Sequence, residues 1–385
     1  MIPGKQMPEA VKSPSTVWKG EKLMDTQEER NRKIIRAVRE KAERDCPGSL
    51  ALIGINGSFA TGQAHARSDL DLLIVVNDRA GDCLAAAFVQ RDMQAAHDIY
   101  CMSWDRLRQM ARYENPHIAK LMDAKIVWSA GKEADDTLEK LRAEARARLS
   151  SPFGAEDFAK AEKYLREAES CFAKMYEADS LSDVRRWSGE MISSVEDGLT
   201  MLNKRYYRLG VRARYRELEA LGRRPADLCA LIEGVVTAED VPAVRNASAA
   251  LLKATAAVFR ESGETFAAPK MAPDPEDLAG TWEEMYSNWR GKMYLAAETG
   301  DRHLAFESLG AFGWMLTEEV GGEYRIGDYD VMAVYDPDDL RKTEAGFNAL
   351  LARYREECLR AGVKLREYDN TDAFVRDYLR NEGDR

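Results

Sequence analysis

Two aspartates one residue apart, at the head of an apolar run, constrain this chain more than any other feature. Asp69-Leu70-Asp71-Leu72-Leu73-Ile74-Val75-Val76 reads as a β-strand from Asp69 to Val76. Alternate side chains of a strand share a face. Asp69 and Asp71 therefore point one way, while Leu70, Leu72, Ile74 and Val76 point into a core. Adjacent carboxylates repel, and one takes up a proton unless a cation neutralises the pair. Mg2+, with oxygen ligands and substrate phosphates completing its shell, is the expected neutraliser.

A second element precedes the pair. Ala51-Leu52-Ile53-Gly54-Ile55 is a short apolar strand that breaks at Asn56-Gly57-Ser58. Glycine lets a backbone approach a ligand closely, and free N–H groups with a serine hydroxyl suit phosphate oxygens. Gly57 and Ser58 are thus expected to grip a triphosphate. Ser68, which opens the Ser68-Asp69-Leu70-Asp71 run, is placed with them. A third carboxylate, Asp98, sits early in a third predicted strand, His97 to Trp104. If that strand neighbours the Asp69 strand, three carboxylates converge. Such a set supports two-metal chemistry, with the third acid also able to accept a proton. His97 falls on the opposite strand face and is read as structural.

The ordered combination Gly57-Ser58, ten residues, Asp69-Leu70-Asp71 resembles the signature of the polymerase-beta-like nucleotidyltransferase superfamily. A small catalytic domain followed by helices is most similar to the plan of bacterial aminoglycoside nucleotidyltransferases. The resemblance implies magnesium-dependent transfer of AMP, or another nucleoside monophosphate, from ATP or another NTP to a hydroxyl, with release of pyrophosphate. By matching position, Asp69 and Asp71 are the implied metal ligands, Asp98 the third acidic residue and Gly57 and Ser58 the phosphate contacts. The motif covers residues 50 to 105. The chain departs from the simple antibiotic-modifying enzymes by about 110 residues after Pro275. A protein as AMP acceptor, in the manner of toxins and regulators, and a nucleotide-binding role without catalysis remain open alternatives.

The rest of the 385 residues fits that plan. Residues 23 to 45 carry an amphipathic helix pattern, residues 81 to 95 read as helix, and from residue 105 the pattern is almost wholly helical. The expected architecture is α+β: a mixed-sheet nucleotidyltransferase domain over 20–150, a helical bundle over 151–267 on the substrate side and a mostly helical domain over 276–385. Ser150-Ser151-Pro152-Phe153-Gly154 and the proline-rich stretch from Ala268 to Pro275 punctuate it. In the helix read over 184–209, Glu196 and Asn203 flank the apolar stripe as candidates for an acceptor cleft. Lys204 or Arg205 is expected to reach the triphosphate. The arginines at 205, 208, 212, 214 and 216 read as a solvated face. Trp282, Tyr286, Trp289 and Tyr294 step at helical spacing and read as core.

A net charge of −10 disfavours nucleic acid as partner and draws a cationic small-molecule acceptor. No apolar run approaches the roughly 20 residues that span a bilayer. Residues 1–19 are polar, with three prolines and no apolar secretory segment, which predicts a cytoplasmic protein with a loose N-terminal arm.

Overall fold

The computed structural model describes residues 20–65, 68–91 and 95–379, with side chains from residue 27 onward. The arm expected over residues 1–19 lies outside them. The chain divides into two compact units between Phe266 and Ala267.

The first unit opens with α1 (Gly20–Asp45) and β1 (Leu50–Ile55). A single helical turn, α2 (Gly57–Thr61), follows, and then β2 (Asp71–Val76). A 3-10 turn over Arg79–Leu84 leads to β3 (Ala86–Gln90) and β4 (Ala95–Ser103). Next come α3 (Trp104–Ala111), α4 (Ala119–Met122) and β5 (Lys125–Ser129). Among the described residues these strands form a mixed sheet in the order β3-β4-β2-β1-β5. Only β2 and β4 run parallel; the other pairs are antiparallel. The fold is α+β, as the sequence indicates.

The period-2 pattern of β2 sorts its side chains between two cores. Leu72, Ile74 and Val76 join Leu70, Leu50, Ile53 and Ile99 under α1, which contributes Val38 and Ala42. Leu73 and Val75 join Ala51 and Met102 on the other face, beneath the later helices. Those helices are α5 (Lys132–Ser150), α6 (Ala155–Glu177), α7 (Leu181–Leu202), α8 (Arg214–Glu219), α9 (Leu228–Val236) and α10 (Val241–Glu264). Leu138 and Leu141 of α5 belong to the same core as Ala161 of α6, Val195 of α7 and Phe259 of α10. The Ser150–Gly154 break therefore joins two helices of one continuous core.

Three sequence expectations are corrected. The described residues of 81–95 form no α-helix: they hold most of the 3-10 turn, edge strand β3 and the first residue of β4. The residues of β3 are exposed or half-buried. Its alanines carry no strand signal, and pairing with β4 overrides local preference. Strand β5 interrupts the stretch read as helical from residue 105, held by its pairing with β1. The helix read over 184–209 stops at Leu202. There the Asn203 amide group donates to the Leu199 carbonyl (2.7 Å), and Lys204 turns the chain with φ of 50°.

In the second unit, α11 (Thr281–Glu284) runs into a π-helical turn, Met285–Trp289, and on into α12 (Arg290–Thr299). α13 (Arg302–Trp314) returns against α12 and ends in a second π-turn and α14 (Val320–Glu323). The long α15 (Leu340–Arg360) buries Phe347, Leu351 and Tyr354 against Phe312 of α13. Helix α16 (Thr371–Tyr378) comes last, with no buried residue. Trp282 belongs to this core, but Tyr286 and Tyr294 are exposed, which corrects part of the core reading. Among the described residues no helix is long and apolar enough to cross a membrane.

Leu73 is fully buried between the sheet and the helical layer. Leu73→Ala leaves a cavity there and is expected to cost about 2–5 kcal/mol. Urea unfolding followed by circular dichroism should show an earlier transition of the first unit.

Candidate active site

Strand β2 starts at Asp71, two residues later than the sequence suggests, but the alternation extends back. Leu70 is buried with Leu72, and Asp69 is exposed. In the parallel register Asp71 lies beside Asp98, so these two carboxylates share a face of the sheet. Burial pushes the Asp71 carboxyl above its ordinary range, and the negative charges of Asp69 and Asp98 add to the rise. Lys120 of α4 opposes it. The other two predicted acids therefore both act on Asp71. They are not, however, drawn into a ready cage: among the described residues no three His, Cys, Asp or Glu side chains stand close enough to hold a metal ion.

The glycine-serine turn meets the same carboxylate. Gly57 has φ of 63°, a region that favours glycine. A Cβ built on it would strike the Asp71 carboxylate oxygen. The Asn56 amide donates to the Asp71 carbonyl (2.9 Å), which pins the turn to the start of β2. Among the described residues, the buried Asn56 Nδ2 and Ser58 Oγ have no hydrogen-bond partner. A buried donor or hydroxyl left unpaired costs free energy, so this corner suits a ligand rich in oxygen acceptors.

Two further residues complete the surroundings. Lys120 lies over the exposed Tyr100 ring, 4.7 Å from its centroid, on the face that carries Asp98. His97, on the opposite face, is buried, and its Nδ1 accepts from the Leu70 amide (3.1 Å). Burial, with Arg30 nearby, pushes its pKa down. A neutral ring accepts at Nδ1 and carries its proton on Nε2, which faces Gln90 Oε1 at 3.2 Å. His97 thus fixes the peptide between the two aspartates. From α1, Gln27 bonds the His65 carbonyl (2.9 Å) and Arg30 the Ser68 carbonyl (3.3 Å), holding the loop before Asp69.

Residues 32–127 match the family described as "Nucleotidyltransferase domain", and that span contains Gly57, Ser58, all three aspartates and Lys120. The chain carries a nucleotidyltransferase domain. Among solved structures the chain is similar to a nucleotidyltransferase-like protein from Exiguobacterium sibiricum 255-15. The two are 12% identical, with a TM-score of 0.33 over 60% of this chain and 78% of that one. No curated protein matches.

Several residues expected at the nucleotidyltransferase site serve elsewhere. Ser68 is buried, and its hydroxyl accepts from the His65 amide (2.8 Å), closing the loop. Lys204 is buried, and its ammonium bonds Ser151 Oγ (2.7 Å) and Asp157 (3.1 Å), so it anchors the Ser150–Gly154 break rather than a triphosphate. Asn203 ties the end of α7 to Arg223, donating to its carbonyl (2.9 Å) and accepting from its amide (2.8 Å). Arg214 does not belong to a solvated face: its guanidinium lies 3.4 Å from the Tyr207 ring centroid and 3.4 Å from Glu196. Asn56, Lys120 and the role of His97 escape sequence reasoning. Asn56 at least adjoins the motif; nothing local marks Lys120.

The segment that carries Lys120 is fastened to the helical layer. Tyr113 donates to the Arg205 carbonyl, the Tyr207 amide to the Pro116 carbonyl (3.2 Å), and Tyr206 to Asp123 (3.2 Å). His117 Nε2 lies 2.9 Å from Asp197. Tyr113 and Lys204 are the non-glycine residues with positive φ among those described, and both lie along this seam.

Gly57→Ala should displace the Asp71 carboxylate and lower kcat/KM at least about 100-fold, since ångström-scale misplacement costs that much. Thermal unfolding should show the chain still folded. Glu196 offers a pH test. Burial, reinforced by Asp197, outweighs the pull of Arg214 and raises its carboxyl from 4.5 to about 7. A raised acid pKa means the folded state holds its proton longer than the unfolded one, so this group's contribution to stability falls between those two values as pH rises. Glu196→Gln should therefore be more stable relative to wild type at pH 8 than at pH 5, read as the Tm difference at each pH.

Proposed function

We propose that the enzyme transfers a nucleoside monophosphate, AMP from ATP, to a hydroxyl of a small cationic acceptor of the aminoglycoside kind, with Mg2+ as its metal. The reaction forms a bond from the acceptor oxygen to the α-phosphorus and breaks the α–β phosphoanhydride, releasing pyrophosphate. The packing of the Asp71 carboxyl onto Gly57, amid Asp69, Asp98 and Lys120, carries this reading.

The donor set suits a hard cation. Asp71 is half-buried and crowded by two like charges, an arrangement that a divalent ion bound through oxygen relieves. Asp71, with Asp69 and Asp98 beside it, would hold it together with oxygens of the bound triphosphate, since the acids alone form no cage among the described residues. Bound there, the ion would neutralise triphosphate charge and make the acceptor hydroxyl easier to deprotonate. The chain's own groups supply the rest. Gly57 leaves room beside Asp71, Asn56 Nδ2 and Ser58 Oγ would face the phosphates, and Lys120 offsets part of the charge around Asp71. His97 keeps the Asp69-Leu70-Asp71 backbone in register. Asp98, an exposed carboxylate of the strand face, would take the acceptor's proton. The overall charge of −10 supports a cationic acceptor by long-range attraction.

Incubation with Mg2+, each NTP and a panel of aminoglycosides, read as pyrophosphate release, tests the proposal. Release with no combination would reject the small-acceptor reading. Asp71→Asn should reduce turnover at least about 100-fold while leaving Tm at pH 7 no lower than that of wild type, because the substitution removes a penalised charge. Retained turnover would remove Asp71 from the metal site.

A further inference from the structure

The second unit lies outside the matched residues 32–127, and it contains a cavity with its own chemistry. We propose that this unit binds a small organic cation in an aromatic cavity walled by α11, the π-turn after it and the segment leading into α16. The cavity has a volume of about 550 Å3 and is lined by Trp282, Glu283, Tyr286, Ser287, Tyr368 and Phe374, among others.

Three observations meet there. The first is a gathering of exposed rings. Tyr286, Tyr368 and Phe374 are 44%, 37% and 41% exposed, although aromatic surface of this kind is ordinarily covered unless it binds something. Tyr368 and Phe374 pack 5.5 Å apart between centroids, and Trp282 and Tyr286 4.9 Å apart. Aromatic faces attract cations, and the chain already seats Arg290 at 4.7 Å from the Tyr286 centroid and Arg355 at 5.8 Å from that of Trp282.

The second is a carboxylate with one oxygen left unpaired. Glu283 Oε1 accepts from the Arg366 backbone amide (2.7 Å). Its Oε2 is shielded from solvent and has no hydrogen-bond partner among the described residues, where no ion pair holds Glu283 either. Of the other charged lining groups, Glu367 is paired with Arg355, and Arg366 engages Glu283 through its backbone. A carboxylate oxygen shielded from water without a partner is costly, and a cation brought into the cavity offsets that cost. Trp282 Nε1, also buried and unpartnered among the described residues, adds a donor for an oxygen on the same ligand.

The third is the backbone. Tyr286 and Ser287 sit in the π-turn Met285–Trp289. Such turns break the regular helix ladder and recur at functional sites.

Choline, a permanent cation with a hydroxyl, and its neutral isostere 3,3-dimethylbutan-1-ol separate charge from shape. Titration calorimetry on the full chain should show saturable choline binding, with the neutral alcohol at least about tenfold weaker. Glu283→Gln should weaken choline about tenfold. Tyr286→Ala, at an exposed position, should do the same and stands in should the first variant not fold. Equal binding of the two compounds, no choline binding up to about 10 mM, or unchanged affinity in Tyr286→Ala would overturn the proposal. The readout is independent of nucleotide turnover, so it stands or falls apart from the Asp71 site.

Discussion

The first unit is organised around a contact that needs the absence of a side chain. Gly57 brings its backbone against the Asp71 carboxylate in a conformation that suits glycine, and the neighbouring Asn56 amide binds the Asp71 carbonyl. This contact joins the end of β1 to the start of β2. It places a serine hydroxyl and an asparagine side-chain amide, both unpaired among the described residues, beside the crowded carboxyl. Everything else in the site is arranged to hold that corner: α1 through Gln27 and Arg30, and β4 through His97 beneath and Asp98 alongside. A mixed sheet is what makes it possible. The parallel β2–β4 pair brings Asp98 level with Asp71, while the antiparallel β1–β2 pair brings the glycine turn to the same end.

Electrostatics and packing pull against each other here. Burial and like charge make the ionised Asp71 unfavourable in the folded chain. That is the cost of keeping Asp69 and Asp98 near Asp71, and the large apolar cores on either side of the sheet offset it. The same balance recurs at the seam. Glu196 stays above its usual range despite Arg214, and Tyr113 and Lys204 adopt left-handed backbone that costs on the order of 1 kcal/mol each. This seam is where the loop bearing Lys120 meets the end of α7. Local strain is retained because the surrounding hydrogen bonds fix both sides of it.

Much of the corner around Asp71 was legible because its geometry is local. A strand that alternates aspartate and leucine must separate charge from core, and a glycine-serine break after an apolar strand must turn. The shared facing of Asp69 and Asp71 and the turn at Gly57 follow from those rules. The misreadings have one source, the dependence of a residue's role on distant partners. Edge strand β3 has no apolar alternation to mark it. Lys204 has the sequence look of a free cation at a helix end, yet Asp157, 47 residues earlier, captures it. Arg214 sits in a run of arginines but is seated against Tyr207 and Glu196. Lys120 occupies an ordinary four-residue helix and matters only through where that helix lies.

Local sequence alone was enough to set the alternation of β2, the turn at Gly57 and the helical character of most of the chain after β5. Each depends on side-chain periodicity or on backbone freedom within a few residues. Closure of the chain in three dimensions settled which charges are free and which are engaged, and that Asp98 stands level with Asp71. It also brought Lys120 near Asp71 and left one Glu283 oxygen shielded from water without a partner among the described residues. Those outcomes depend on Coulomb and hydrogen-bond partners tens of residues away, and no local pattern encodes distances that arise only once the chain has folded onto itself.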